Sequence, residues 1–355
     1  MLKNYLMVAT RNLLRHKLYS AINLLGLAVG IACCLLVLCF VQAEWLVDRH
    51  YPKAERIYRV IRETRSEGNK PYYSNRTSGA LASALKHDFP EVEQAVRVWQ
   101  GDGVWVKVGN RVFSEEFSLA DPEILTIFDL PMVKGDPKTV FQNPFSLIIS
   151  ESAARKFFGR IDPIGQTVIA EHAFLGGTYT VTGIMADLPP YGTLQMDFLT
   201  TTPTPKRWTL IPWEEWRTGE WRTVQNFVLL KEGTEPEQLS QKLPDLLARY
   251  MGKEISATND YHLQPLTRIH LYSKRDFGFL WRGDISQLYL LLFVGGFVVL
   301  IACFNFMNLS TARYTGRVKE VGLRKVVGAQ RWQLMHQFLS ESTLLSFLSL
   351  AIASG

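Results

Sequence analysis

Two long stretches of this chain contain apolar and uncharged polar side chains and no charged ones. The first lies between Lys17 and Glu44, and the second covers residues 285–312. Each is longer than the roughly 20 residues that an α-helix needs to cross a hydrocarbon core of about 30 Å. The pattern therefore predicts transmembrane helices at residues 18–43 and 285–312, with buried core helices of a soluble protein as the alternative.

A third apolar stretch follows Glu341 and continues to Gly355, the last residue. We predict an incomplete third transmembrane helix over residues 333–355. The first stretch has a second alternative, a secretory signal peptide, although such peptides use an apolar core of only about 7–15 residues. Residues 1–17 favour a retained anchor, because their apolar positions follow a helical spacing with basic residues opposite, as in an elbow helix lying on a membrane surface.

The segments that flank the two predicted spans are basic. Residues 1–17 contain no acidic side chain, and in residues 313–331 Glu320 is the single acid among six basic residues. The positive-inside rule predicts that both flanks are cytoplasmic and that residues 44–284 lie outside the cytoplasm. Trp45 and Trp281 would then sit at the depth of interfacial aromatic residues. The expected location is the cell (inner) membrane, in a multi-pass topology with a cytoplasmic N-terminus.

The segment between the spans mixes strand and helix patterns, which indicates an α+β domain built from βαβ-like units. Extended patterns occupy residues 55–63, 177–188, 226–233 and 261–271, and a hairpin over 104–120 turns at Gly109 and Asn110. Helices are predicted at 78–89, at 150–159 with Ser150 as N-cap, and from a capping box at Thr234–Glu237 to Met251.

Composition and charge narrow the function classes. The chain has 355 residues, of which 47% are hydrophobic, so intrinsic disorder is excluded. A formal charge of +6 could indicate a nucleic-acid partner, but the basic excess lies in the two flanks, and we predict none. All four cysteines fall within the predicted spans, which leaves no disulfide framework or Cys-based metal site outside: Cys33, Cys34, Cys39 and Cys303.

The outer segment lacks an evident catalytic pattern. Its histidines show no metal-ligand spacing, no G-x-S-x-G elbow occurs, and we predict no cofactor, no metal and no enzymatic activity. Gly159 to Gly165 faintly resembles a phosphate loop without its GK[ST] ending, so a helix stop and a turn are favoured. A tryptophan cluster could bind an apolar ligand or partner if exposed, or serve as packing if buried: Trp208, Trp213, Trp216 and Trp221.

The connector at residues 313–332 places basic residues around a short apolar set and breaks at Gly328. It is explained either as a positive-inside flank or as a short amphipathic helix that docks in the groove of a cytoplasmic partner.

Here the chain resembles a known family, the FtsX/MacB-type ABC transporter permeases. Residues 319–329, KEVGLRKVVGA, with Gln337–Leu339 and Glu341, resemble the cytoplasmic coupling segment of that family. Residues 11–41 resemble its elbow helix and first span. Three stretches of the outer segment resemble its periplasmic core domain, at 128–137, 147–168 and 179–190. The resemblance extends over essentially the whole chain.

The resemblance implies a membrane protein with α-helical spans and a large inserted extracytoplasmic α+β domain. It implies a non-catalytic subunit of the mechanotransmission type, which moves its outer domain when a separate cytoplasmic ABC ATPase subunit hydrolyses ATP. Membrane lipid, a second permease subunit in a homo- or heterodimer and an extracytoplasmic protein are the other implied partners. The residues expected to dock the ATPase are Glu320, Gly322, Leu323, Arg324, Lys325, Gly328 and Ala329.

Small residues within the spans are candidates for close helix contact. Gly26 and Gly30 have the GxxxG spacing in the first span, and Gly295 and Gly296 are adjacent in the second. Ordinary small residues without a packing role are the alternative.

Two further expectations follow from the length of the chain and its connector. Because permeases of this family have at least four spans, the chain is expected to be the N-terminal half of a longer permease or a truncated form. The rival function is a membrane-anchored extracytoplasmic sensor or binding module. Such a receptor would continue into a large soluble domain after its second span, whereas this chain resumes an apolar stretch after a short connector.

Overall fold

The computed structural model describes residues 11, 17–65, 68, 70–79, 81–172, 176–190, 192–201, 224–273, 283–316, 322–323, 326 and 331–354. The chain divides into two compact units. One consists of residues 1–45 and 284–355 and holds the long apolar helices; the other consists of residues 46–283 and holds the α+β domain.

The helices and strands are numbered in chain order. They are α1 (Lys17–Leu46), β1 (Ile57–Thr64), β2 (Tyr72–Ser74), α2 (Leu81–Asp88), β3 (Val92–Val108), β4 (Arg111–Ala120), α3 (Ile124–Ile127), β5 (Met132–Lys134), β6 (Ser146–Ser150), α4 (Glu151–Phe158), β7 (Thr167–Glu171), β8 (Gly177–Met185), β9 (Phe198–Thr200), β10 (Gln225–Leu230), α5 (Pro236–Met251), α6 (Lys253–Thr258), β11 (Asn259–Pro265), α7 (Leu266–Tyr272), α8 (Ile285–Gly316) and α9 (Arg331–Ser354).

Helices α1 and α8 are long and apolar enough to cross a membrane. Their apolar portions cover Ser20–Leu46 and Ile285–Ala312, and few side chains in either portion are buried within the protein. A core helix of a soluble protein would bury its apolar surface, whereas a helix in lipid leaves it exposed. A shorter apolar portion, Ser342–Ala353, lies in α9.

One half of the α+β domain is an antiparallel sheet in the order β11-β1-β10-β3, with β2 paired to the C-terminal end of β1. Because β1 and β3 lie on either side of β10, the β1-α2-β3 segment is a split βαβ unit, and β10-α5-β11 is a second one around β1. This is a ferredoxin-like arrangement. Helices α2 and α5 cover one face of the sheet, where Leu85, Leu239 and Leu243 pack with Val60 and Val228.

The other half is a closed ring formed by the second part of β3 and by strands that lie between β3 and β10 in the chain. Around the ring, β3 pairs with β4, β4 with β9, β9 with β6, β6 with β8, β8 with β7, and β7 again with β3. Alternate side chains of β6 and β7 point inward, as closure into a barrel requires, and Tyr179 and Val181 of β8 do the same. The interior is filled by apolar side chains that include Phe117, Phe157, Tyr179 and Phe198.

Strand β3 belongs to both halves. Residues up to Val98 pair with β10 in the sheet, whereas Trp105–Lys107 pair with β7 in the barrel. Between them the register shifts from Gly101 to Val104, and Gly103 adopts a left-handed φ of +72°. Glycine adopts that conformation without the steric strain of a Cβ atom, so the strand bends there and passes from one half to the other.

A shared core joins the sheet to the barrel. Phe128 and Phe227 meet edge to face with ring centroids 5.4 Å apart. They belong to the same buried cluster as Ile148 and Leu199, which point outward from the barrel. These apolar side chains therefore form an interface between the sheet and the barrel.

The predicted elements agree with most of these boundaries. The hairpin turns at Gly109 and Asn110, and α4 starts after Ser150, whose Oγ accepts a hydrogen bond from the N–H of Ala153. The Ser150 cap depends only on neighbouring residues, which explains why it could be predicted from the sequence.

Two sequence predictions were wrong. The expected strand over 261–271 ends at Pro265, and the following residues form α7, whose Leu266 and Ile269 are buried three residues apart on one helical face. The expected capping box is not formed, because α5 begins at Pro236 with Glu235 as N-cap and no side-chain cap bond. Proline suits the first helical position, and this shifts the start by one residue and leaves Thr234 outside the helix.

Candidate coupling segment and membrane-helix contacts

The predicted coupling segment lies between the end of α8 and the start of α9. Gly322, Leu323 and Val326 are described there; all three are helical and exposed. Leu323 is 68% exposed and Val326 is 86% exposed. Positions three apart share a face where the chain between them is helical, and on such a helix these two apolar side chains would form one small exposed surface. An amphipathic helix that docks in a groove presents such a surface.

The remaining predicted docking residues lie outside the described part of the chain: Glu320, Arg324, Lys325, Gly328 and Ala329. Their role in docking stays a prediction. Trp281 and the cluster at Trp208, Trp213, Trp216 and Trp221 also lie outside the described residues.

Three of the four predicted packing glycines lie where α1 meets α8. A Cβ atom added to Gly30 would lie 2.6 Å from Cβ of Ala302, and one added to Gly26 would lie 3.2 Å from Nδ2 of Asn305. A Cβ atom on Gly295 would lie 3.3 Å from Val37 Cγ1. At Gly30 a side chain would force a helix to shift, whereas at Gly26 and Gly295 the neighbouring side chain would have to give by a few tenths of an ångström.

Gly296 differs from its neighbour. Within the described residues, a Cβ atom at Gly296 would meet nothing within 4 Å. The structure does not bring it to the α1–α8 contact.

Polar side chains in the same helix bundle were missed by the sequence analysis. Asn23 is 1% exposed, and neither its amide nitrogen nor its oxygen has a hydrogen-bond partner among the described residues. Ser349 in α9 is fully buried and donates its hydroxyl to the carbonyl oxygen of Leu24 at 3.2 Å. The signal was present in the sequence, because Asn23 lies three residues before Gly26 and so on the same face of α1.

The Asp187 carboxylate, next to the start of α4, has a structural role. The Asp187 carboxylate accepts bonds from the N–H and hydroxyl of Ser152, both at 2.7 Å, and from Arg155 at 2.9 Å. Burial would raise the pKa of this carboxyl, but the bonds from Ser152 and Arg155 outweigh it and hold the pKa below its usual range. A carboxylate in this position caps the N-terminus of α4.

The segment from Gly159 to Gly165 is a helix stop followed by a turn. Gly159, with a φ of +63°, donates its N–H to the carbonyl of Arg155. The Asp162 carboxylate accepts the N–H of Ile164 at 3.2 Å, and the N–H of Gly165 donates to Val181 at 2.8 Å. These backbone donors have partners within the chain and do not form a phosphate cradle.

Within the described ranges, no group of three or more His, Cys, Asp or Glu side chains is placed to hold a metal ion. His262 contacts the Glu63 carboxylate at 2.9 Å on the surface of the sheet, and His270 is buried in α7. These two histidines lie in different surroundings and do not form a common site.

Comparison with known proteins gives consistent matches over most of the chain. Residues 20–246 match the family of MacB-like periplasmic core domains, and residues 292–355 match the FtsX-like permease C-terminal family. The macrolide export ATP-binding/permease protein MacB of Neisseria meningitidis serogroup A is 26% identical over 230 residues, which is 64% of this chain and 31% of that protein. MacB 1 of Yersinia pestis bv. Antiqua is 22% identical over 366 residues, covering 98% of this chain and 51% of that protein.

The chain thus spans about a third to half of the length of these curated relatives. Among solved structures, a domain assigned to a permease protein of Porphyromonas gingivalis superposes with a TM-score of 0.52 at 25% identity. The match covers 68% of this chain and 99% of that domain. The likeness concerns the α+β fold.

Proposed function

Because this chain belongs to the FtsX/MacB-type family of ABC transporter permeases, we propose that it transmits the movement of a separate cytoplasmic ATPase to its α+β domain outside the membrane. In this proposal the chain itself does not hydrolyse ATP. The families it matches are a periplasmic core domain and a permease domain, and we assign ATP hydrolysis to the partner.

The observation that carries the proposal is the exposed apolar pair Leu323 and Val326 just beyond the end of α8. Helix α8 is unbroken over 32 residues, a length of about 48 Å at 1.5 Å per residue. A continuous helix has no internal joint, so a displacement at its C-terminal end moves its N-terminal end as well. That end adjoins the α+β domain in the chain, and a groove that closes on Leu323 and Val326 would act on the domain through α8.

We propose the orientation from charge. The basic flanks at residues 1–17 and 313–331 favour the cytoplasmic side, which puts residues 46–283 on the opposite side. Movement of this outer domain, driven by ATP hydrolysis in the partner, would result in export, extraction or signalling.

The orientation predicts a labelling pattern. In a variant with all cysteines replaced by alanine, Asn110→Cys at the hairpin tip should react with a membrane-impermeant maleimide in intact cells, because that residue is exposed on the outer domain. Val326→Cys should react only after the membrane is permeabilised. The reverse pattern would refute the orientation, and labelling of both in intact cells would refute the spanning role of α8.

Docking through the coupling segment predicts a loss of ATPase binding. The double variant Leu323→Asp/Val326→Asp should bind its partner ABC ATPase at least about 30-fold more weakly, because burying two carboxylates in an apolar groove removes about 2 kcal/mol or more. Affinity is measured on the purified full chain in lipid nanodiscs.

The matched control is Leu323→Met/Val326→Ile, which keeps the surface apolar and should bind like the natural chain. Equal affinity of the Asp variant and the control would show that this surface is not the docking site.

A further inference from the structure

A buried acidic residue lies where the chain leaves α1 and enters the α+β domain. Asp48, two residues after Leu46, is 0% exposed and has a left-handed φ of +61°. Its Oδ1 accepts the backbone N–H of Thr193 at 2.8 Å, and its Oδ2 accepts the Thr193 hydroxyl at 2.5 Å. Gly192 is packed against the same carboxylate, because a Cβ atom there would lie 3.2 Å from Oδ1.

Thr193 belongs to a short loop that is closed on itself. We call residues 189–190 and 192–195 the strut. The N–H of Gly192 donates to the carbonyl of Pro189 at 3.2 Å, and Nε2 of Gln195 donates to the carbonyls of Pro189 and Gly192 at 2.8 and 3.1 Å. The strut joins β8 to β9, two strands of the barrel. Its internal hydrogen bonds and the buried side chain of Leu194 restrict its conformations.

The far end of the strut reaches the bend in β3. Gln100, directly before the register shift, donates Nε2–H to the carbonyl of Gln195 at 3.1 Å. Gln100 Oε1 in turn accepts from Nε2 of Gln225 in β10 at 3.1 Å. Hydrogen bonds therefore run from the end of α1, through the strut, to the point at which the sheet becomes the barrel.

We propose that Asp48 is a positioning residue that couples α1 to the barrel through the strut. The inference rests on the proposed function, since it names the route by which a helix movement reaches the barrel. When the end of α1 moves, Asp48 carries Thr193 with it, and the strut turns the barrel against the sheet about the bend at residues 101–103, while the two halves slide across their shared core. In this mechanism the sheet and the barrel move as two rigid bodies that are joined at a flexible position in β3.

The chemistry of the Asp48 carboxylate supports a role in transmitting movement. Burial raises the pKa of the Asp48 carboxyl, although the two donors of Thr193 and the nearby His50 and His270 act to lower it. A buried carboxylate is therefore a costly residue for stability alone. A carboxylate accepts at both oxygens, whereas an asparagine of the same shape accepts at one and presents N–H donors at the other. Only the acid holds both donors of Thr193 at once.

The first test concerns the hydrogen bonds between Asp48 and Thr193. In the full chain in lipid nanodiscs, Asp48→Ala, which removes both acceptor oxygens, should speed hydrogen exchange at the Thr193 amide by about 10- to 100-fold, the range expected for a lost charge-assisted hydrogen bond. Amides of α2 and α5 should exchange at the natural rate, which also shows that the variant is folded. Unchanged exchange at Thr193 would overturn the inference.

The second test concerns coupling. Spin labels at Lys86→Cys in α2 and Asn110→Cys at the barrel hairpin report the distance between sheet and barrel in the complex with the ATPase. Nucleotide should change this distance in the natural chain, and Asp48→Asn or Thr193→Val should reduce the change by about half or more. Thr193→Ser retains a hydroxyl donor and should preserve the full change.

The outcomes separate the two proposals. A natural chain whose labels do not respond to nucleotide refutes the proposed function, and the inference fails with it. A natural chain that responds, together with an Asp48→Asn variant that responds equally, overturns the role of Asp48 and leaves the proposed function standing.

Discussion

Replacement of Phe198 by alanine should lower the free energy of unfolding of the α+β domain by about 3–5 kcal/mol. Phe198 is fully buried at the centre of the barrel. Its ring is parallel to that of Phe117, with centroids 5.9 Å apart, and meets the edge of Phe157 at 5.4 Å. These neighbours belong to β4 and α4, so a cavity left by the ring is bordered by separate elements that do not collapse together.

The measurement is urea unfolding of the full chain in detergent, followed by circular dichroism. The control is Trp105→Ala on the outer face of the same barrel, where the side chain is 53% exposed and the expected change is within about 0.5 kcal/mol. If both variants lose the same stability, the barrel interior is not the core that Phe198 and its neighbours indicate.

Only part of the barrel was predicted from the sequence. The hairpin of β3 and β4 was predicted because its strands are long and joined by Gly109 and Asn110. Closure of the ring depends on Trp105–Lys107 pairing with Ile169–Glu171, more than sixty positions away. Strands β5 and β9 have three residues each and are too short to show a period of two. Pairings of this kind are decided by the packed core and not by local pattern.

At the candidate site, too, local features were predicted from the sequence and long-range contacts were not. The GxxxG spacing placed Gly26 and Gly30 on one face of α1, since residues four apart are neighbours on a helix. Their partners, Asn305 and Ala302, could not be inferred, because the register between two helices is set by packing. Asp48 was not singled out either. A lone acid after an apolar stretch is common, and its use follows only from contact with Thr193, 145 positions later in the chain.

Substitution of leucine for Gly30 should force α1 and α8 apart. The added Cβ would lie 2.6 Å from Cβ of Ala302, a separation that real Cβ atoms essentially never show. Ala302 Cβ is attached directly to the backbone of α8 and has no flexible end that could move aside. The contact is relieved only by displacing a helix, for which overpacking costs of about 1–3 kcal/mol are typical. The coupling role that we propose for α8 would suffer accordingly.

A disulfide between the same two helices measures this displacement. In the cysteine-free chain, Val37→Cys and Gly295→Cys should crosslink readily, because a Cβ atom at position 295 lies 3.5 Å from Cβ of Val37, at the short end of the range of about 3.5–4.5 Å found in disulfides. Adding Gly30→Leu should slow crosslinking by about tenfold or more. Gly296→Leu, where the structure leaves room for a side chain among the described residues, should leave the rate unchanged. Equal rates in the two leucine variants would mean that Gly30 is not a point of close approach, and that the register between α1 and α8 differs from the one that Ala302 and Val37 define.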